Sequence, residues 1–135
     1  MLDMNRIDHF GIRISDREKS VAFYELLGFE LIADGGFEHG HPLVMLHPSG
    51  TNINLLGPAT DRAGENVLMD EADKYPGITH IAIKMKSAEE TEAFVTANNI
   101  EITGRREFRG TSTIFNRDPD RTVLELVGPA HQLPN

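Results

Sequence analysis

Two histidines and one carboxylate in this sequence have the side-chain types needed to hold a divalent metal, and a repeat in the chain singles them out. His9 and His80 lie 71 residues apart and open two similar segments, His9-Phe-Gly-Ile-Arg-Ile14 and His80-Ile-Ala-Ile-Lys-Met85. At the same offset Asn54 falls on Glu125. The chain has no cysteine, so imidazole, carboxylate and amide oxygen are the donors available to a transition metal. His9, His80 and Glu125 suit a first-row ion such as Zn, Ni, Co, Mn or Fe. Asn54 is a weak fourth ligand, or a group that hydrogen-bonds to another ligand. The bland alternative makes His9 and His80 half-buried strand residues with backbone partners. Against it, both histidines share a strand face with small residues, Gly11 and Ala82, and Glu125 stands on an otherwise apolar strand.

The elements that must position these residues repeat in the same register. Ala22-Phe23 matches Ala93-Phe94, Phe29-Glu-Leu31 matches Ile100-Glu-Ile102, and Thr51–Ala59 matches Thr122–Ala130, with no gap from Ile7 to Ala59. Such a register argues for duplication and against two unrelated segments of similar periodicity. In the first half the alternation of Ile7–Ile14 predicts a strand with Phe10, Ile12 and Ile14 packed inward and His9, Gly11 and Arg13 on the other face. Ser15 and Asp16 are capping types for a helix whose apolar stripe is Ala22, Phe23, Leu26 and Leu27, ended by Gly28. Tyr24 lies beside that stripe in a structural role. Strands are expected at Phe29–Ala33, Leu43–His47 and Thr51–Leu56. In the second half Ile78–Met85 is a strand, Ser87 with Glu90 forms a capping box, and strands follow near Ile100–Thr103, Thr113–Asn116 and Thr122–Val127. Gly57-Pro58 and Gly128-Pro129 are expected to end strands. The result is an α+β chain of two tandem βαβββ modules, about 5–60 and 76–130. The polar, acidic segment Asp61–Pro76 joins them, anchored by Val67, Leu68 and Tyr75 and containing a short helix.

Composition bounds the partners. The 135 residues are 39% hydrophobic and carry a formal net charge of −8. That balance argues against nucleic acid and against an anionic membrane surface. No apolar run approaches the roughly 20 residues of a membrane span, and a cytoplasmic location is the default expectation. There is no phosphate-binding loop and no dinucleotide fingerprint. His39, His41 and His47 are read as solvated, with His41 the one that could border a pocket as an acid or base. Arg105, Arg106 and Arg109 form a basic cluster, read equally as an anion site or a solvated hairpin.

The openings Asp-His-Phe-Gly-Ile12 and Thr-His-Ile-Ala-Ile83, the helical Ser20–Leu31 and the closing Asn116–Pro129 together resemble the vicinal oxygen chelate superfamily, which includes glyoxalase I, bleomycin-resistance proteins and extradiol dioxygenases. The resemblance covers nearly the whole chain. It implies one domain over residues 1–135, with a curved eight-stranded mixed sheet, an incomplete barrel, enclosing a metal and with the helices outside. It implies metal ligands at His9, Asn54, His80 and Glu125, and a homodimer. Two positions depart from the pattern: Asn54 stands where a glyoxalase-I-like protein has glutamate or glutamine, and Arg121 stands where glycine is frequent.

The resemblance leads to a metal-dependent lyase or isomerase of glyoxalase type. The metal would chelate adjacent oxygens of a small 2-oxo or hemithioacetal-like substrate and stabilise an enediolate, with Glu125 as base. The alternatives are an extradiol-type Fe(II) dioxygenase, which needs only the two-histidine, one-carboxylate triad, and an antibiotic-binding resistance protein of bleomycin type.

Overall fold

The computed structural model describes residues 1–130. It divides into two compact units, Met1–Gly64 and a second from Glu65 onward. The first contains β1 (Phe10–Arg13), α1 (Arg17–Leu26), β2 (Glu30–Asp34), β3 (Leu43–Leu46) and β4 (Asn52–Leu56). The second contains β5 (His80–Lys84), α2 (Ala88–Ala97), β6 (Gly104–Phe108), β7 (Thr111–Arg117) and β8 (Val123–Ala130). Each unit holds one four-stranded sheet, ordered β1-β4-β3-β2 and β5-β8-β7-β6. In both, the first strand runs parallel to the last and the remaining pairs are antiparallel. This is the predicted α+β class, with the eight strands distributed over two mixed sheets. No helix among the described residues is long and apolar enough to cross a membrane.

The two helices are copies at the repeat offset and start for the same reason. Asp16 caps α1 by accepting from the Lys19 amide at 3.0 Å, and Ser87 caps α2 by accepting from the Glu90 amide at 3.1 Å. Each cap satisfies one of the backbone donors that a helix start leaves free. The stripe α1 buries is Ser20, Val21 and Tyr24, which corrects the expected Ala22 and Leu26. Tyr24 decides the rotation: its ring meets Phe23 and Phe29 edge-on at 5.2 and 5.9 Å, and burying that aromatic area outweighs burying Leu26, which is left exposed.

Strand alternation sorts the faces as the sequence suggests. Ile12 and Ile14 are buried in the first unit and Ile81 in the second, while His9, Gly11, His80 and Ala82 are exposed. In the second unit Val95, Ile114 and Leu126 form a cluster that Ile83, Met85, Ile100 and Ile102 pack against.

Three expectations about elements are corrected. Ile100–Thr103 is not the second strand of its half; β6 begins at Gly104. The Arg109-Gly110 turn, with φ of 50° and 76°, matches strand twist and lets β6 pair with β7 up to Phe108↔Thr111. The first half instead spends residues 35–42 on a connection containing the 3-10 turn Phe37–His39. Gly128-Pro129 does not end a strand, because β8 runs through it. Beyond Val127 no β5 partner is paired, so proline's missing N–H costs no bond there, and a Cβ at Gly128 would sit 2.8 Å from Ala88 Cβ. The segment 61–76 contains turns and no helix. Its anchors are polar: Asn66 Nδ2 donates to the Arg121 carbonyl at 3.1 Å, and Arg117 donates twice to Asp70 at 2.9 and 3.0 Å. Leu68 is half-buried against Gly77, whereas Val67 and Tyr75 are exposed.

Candidate metal centre

His80 opens β5 and Glu125 lies on β8, the adjacent parallel strand, where Ala82 is its cross-strand partner. With only a methyl group at Ala82, the imidazole and carboxylate reach each other: His80 Nε2 is 3.1 Å from Glu125 Oε2. The Glu125 side chain is 16% exposed and that of His80 41%, so the pair sits at an open rim. The other imidazole nitrogen is also engaged, since His80 Nδ1 lies 2.7 Å from the Thr79 hydroxyl. A hydroxyl can donate or accept, so two tautomers are available. In one, Nε2–H donates to Glu125. In the other, Nδ1–H donates to Thr79, and the lone pairs of Nε2 and Glu125 Oε2 face each other across 3.1 Å, an arrangement that a cation between them would stabilise.

The first unit holds the pseudo-equivalent residues. His9 Nδ1 is 2.7 Å from Asp8 Oδ2. A carboxylate only accepts, so Nδ1 must be the protonated nitrogen, which leaves the Nε2 lone pair free for an electrophile. Asp8 and Thr79 are themselves 71 residues apart, and each turns its side chain onto the histidine that follows it. The sequence reading missed both. Their signal was the shared offset. Asn54 on β4 is half-buried, and its Oδ1 is buried with no hydrogen-bond partner. A buried acceptor is costly unless a cation, a ligand or a water satisfies it.

His80 and Glu125 are thus the predicted residues brought into contact. Among the described residues, no group of three or more histidine, aspartate or glutamate side chains is gathered as a metal cluster. The donors present nevertheless fit a metal. Two ligands about 2.1 Å from one ion stand about 3.0 Å apart at octahedral angles and about 3.4 Å apart at tetrahedral ones, and the His80–Glu125 separation of 3.1 Å falls in that interval.

The other candidates stand apart from this pair. His39 and His41 are exposed. His47 packs on Phe29 at 5.2 Å and hydrogen-bonds with Ser49 at 2.8 Å. Arg105 is paired with Glu92, which holds the Glu92 carboxyl below its usual range through their hydrogen bond. Arg106 and Arg109 stack on Phe108 at 4.9 and 5.2 Å. The basic cluster is therefore tied up locally.

The family model described as Glyoxalase/Bleomycin resistance protein/Dioxygenase superfamily matches residues 6–126. A search of curated protein sequences gave no match. Among solved structures, a glyoxalase family protein from Enterococcus faecalis is 26% identical, with 90% of this chain and 96% of that one covered and a TM-score of 0.72. A lactoylglutathione lyase from Agrobacterium tumefaciens is 15% identical over 93% and 94% of the chains, TM-score 0.68. The fosfomycin resistance protein FosX from Listeria monocytogenes is 19% identical over 95% and 96%, TM-score 0.69. The last two likenesses concern the fold. With the family model spanning both halves of the repeat, this chain belongs to the glyoxalase/bleomycin resistance protein/dioxygenase superfamily.

Proposed function

We propose that this chain is a metal-dependent lyase or isomerase of glyoxalase type, acting on a small 2-oxo or hemithioacetal-like substrate. The observation that carries this reading is the approach of His80 Nε2 and Glu125 Oε2 to 3.1 Å. In this proposal His80 and Glu125 are the ligands offered by the second unit, and their repeat partners His9 and Asn54 are the corresponding donors of the first, Asn54 through its unpartnered Oδ1. A divalent ion held by these residues would supply Lewis-acid polarisation to the substrate's oxygens, which would acidify the neighbouring C–H. Glu125 takes that proton on a carboxylate oxygen and returns it to the adjacent carbon. Asn54 cannot accept a proton, so the transfer falls to one carboxylate rather than two. Asp8 and Thr79 engage the Nδ1 atoms of His9 and His80 and so hold the direction in which each Nε2 points. The lactoylglutathione lyase among the structural neighbours is in keeping with this reaction class. The reading also carries a homodimer and a cytoplasmic location.

The test is elemental analysis of protein purified without chelator or affinity tag, then turnover of hemithioacetals of 2-oxoaldehydes with each metal. Wild type should hold one divalent ion per site, and His80→Ala should lose it. Glu125→Gln, compared at matched metal loading, should turn over at least about 100-fold more slowly. Metal content unchanged in His80→Ala would overturn the assignment of the site. Full turnover in Glu125→Gln would overturn the role of its carboxylate.

A further inference from the structure

The connection between β2 and β3 carries two histidines that the proposed reaction does not use. His39 and His41 flank Gly40, and both are exposed. Their backbone amides donate to one acceptor, the Gly36 carbonyl, at 2.9 and 3.1 Å. The start of the loop is fixed by Asp34, whose Oδ1 accepts from the Gly36 and Phe37 amides at 2.9 and 3.3 Å. Gly40 takes a φ of 81°, which turns the chain so that both rings lie back over Gly36. The Cδ2 atom of each ring stands 3.6 Å from the point that a Cβ on Gly36 would occupy. At most twice that distance therefore separates the two atoms. Neither ring has a hydrogen-bond or ion-pair partner among the described residues.

Two imidazoles bound to one ion through Nε2 hold their Cδ2 atoms about 4–6 Å apart, given a metal–nitrogen bond of about 2.1 Å. The spacing over Gly36 admits this range, and exposed imidazoles need only a rotation about side-chain bonds to reach it. The backbone that carries them is already held, so little chain freedom is lost on binding. Neutral imidazole suits late first-row divalent ions, Cu²⁺ most of all, whereas Mg²⁺ and Ca²⁺ take oxygen donors. We infer that His39 and His41 chelate a late first-row divalent metal ion, with Cu²⁺ bound most tightly, as a second metal site on the surface of the first unit. Among the described residues no third histidine, aspartate or glutamate joins them, so the ion keeps positions for water or a further ligand. The site lies away from the centre proposed above. Phe37, in the same turn, packs over Gly57 beyond the end of β4, whereas His9 precedes the start of β1, and these two strands run parallel. None of His9, Asn54, His80 and Glu125 takes part, so this inference stands or falls separately from the proposed function.

The experiment is a titration of the chelator-treated chain with Cu²⁺, above the ordinary imidazole pKa of about 6.5, read by paramagnetic broadening of backbone amide signals. Two groups of amides report separately: residues 36–41 for this site, and those beside His9, His80 and Glu125 for the other. The first group should broaden and saturate at one ion per chain. Ni²⁺ and Zn²⁺ should compete there more weakly than Cu²⁺, and Mg²⁺ should not compete. His39→Gln and His41→Gln should each weaken binding on the order of 100-fold, because the remaining imidazole then binds alone. Both side chains are exposed, so these variants keep the fold. Amides 36–41 that stay sharp while those beside His80 broaden would overturn the inference and leave the other centre standing. Equal Cu²⁺ affinity at residues 36–41 in wild type and His39→Gln would overturn it too, since a lone surface histidine would then suffice.

Discussion

Thr79 and Asp8 do their work through atoms they do not share with a substrate. Each engages the Nδ1 of the next residue, a histidine, at 2.7 Å and so sets the direction in which Nε2 points. They are positioning residues, and the consequence is measurable. Thr79→Val keeps the side-chain shape but removes the hydroxyl that engages Nδ1, leaving the His80 ring free to rotate. Metal affinity, read by competition with a chromophoric chelator, should fall about 10-fold or more. The urea midpoint of the metal-free protein should stay where it was, and Thr79→Ser should restore affinity. A Thr79→Val protein with unchanged metal affinity would mean that Thr79 merely neighbours the ring. Arg121 makes a second case at this scale. It turns the chain between β7 and β8 at φ 68°, where a non-glycine residue is strained by about 1–2 kcal/mol. Its carbonyl is the part in use, accepting from Asn66 and Arg117 at 3.1 and 3.0 Å. Arg121→Gly keeps those bonds. After the extra freedom of glycine in the unfolded chain is set against the strain, it should raise stability by up to about 1 kcal/mol in chemical denaturation. A loss of stability would show that the guanidinium itself contributes packing.

Among the elements, the segment leading into the second unit depends on one ion pair. Asp70 accepts two hydrogen bonds from Arg117 on β7 and one from the Asn66 amide at 2.7 Å, while Asn66 in turn holds the Arg121 carbonyl. The Arg117 hydrogen bonds, more than any other cause, keep the Asp70 carboxyl below its usual value of 3.8. The sign follows directly. A carboxyl whose folded pKa is depressed stabilises the fold above its unfolded pKa, and the stabilisation is lost as pH falls through the folded value. The Arg117 side chain is 14% exposed and that of Asp70 27%, so water screens part of the pair and Asp70→Asn should cost about 1 kcal/mol at pH 7. The gap between variant and wild type, followed by urea midpoints against pH, should close progressively below about pH 4. A constant gap down to pH 2 would show that the charge of Asp70 is not what the segment relies on. Periodicity alone does not reveal this anchor, because Asp70 and Arg117 are 47 residues apart and nothing local marks them as a pair. For the same reason Leu68, Val67 and Tyr75 look alike in sequence, yet only Leu68 finds a neighbour to pack on.

For the molecule as a whole, the sequence by itself determined the duplication, the α+β class and the matching of His9 with His80 and of Asn54 with Glu125. These follow from period and offset, which are properties of the chain read in one dimension. Helices starting after Asp16 and Ser87 were equally legible, because a cap and the amide it satisfies are three residues apart. A net charge of −8 likewise bounded the partners without reference to shape. Tertiary structure decided what depends on contacts between distant residues. It brought His80 Nε2 to Glu125, 45 positions along the chain, and turned Thr79 and Asp8 onto their histidines. It rotated α1 so that Tyr24, not Leu26, faces the core. It moved β6 three residues past the position given by the repeat, since a two-residue Arg109-Gly110 turn fixes hairpin register more strongly than the apolar alternation of Ile100–Thr103 does. It also carried β8 through Gly128-Pro129, where the chain no longer needs an N–H for a second neighbour. Local patterns are written in the order of residues, whereas side-chain direction, strand register and hydrogen-bond partnership exist only after the backbone has brought remote segments together.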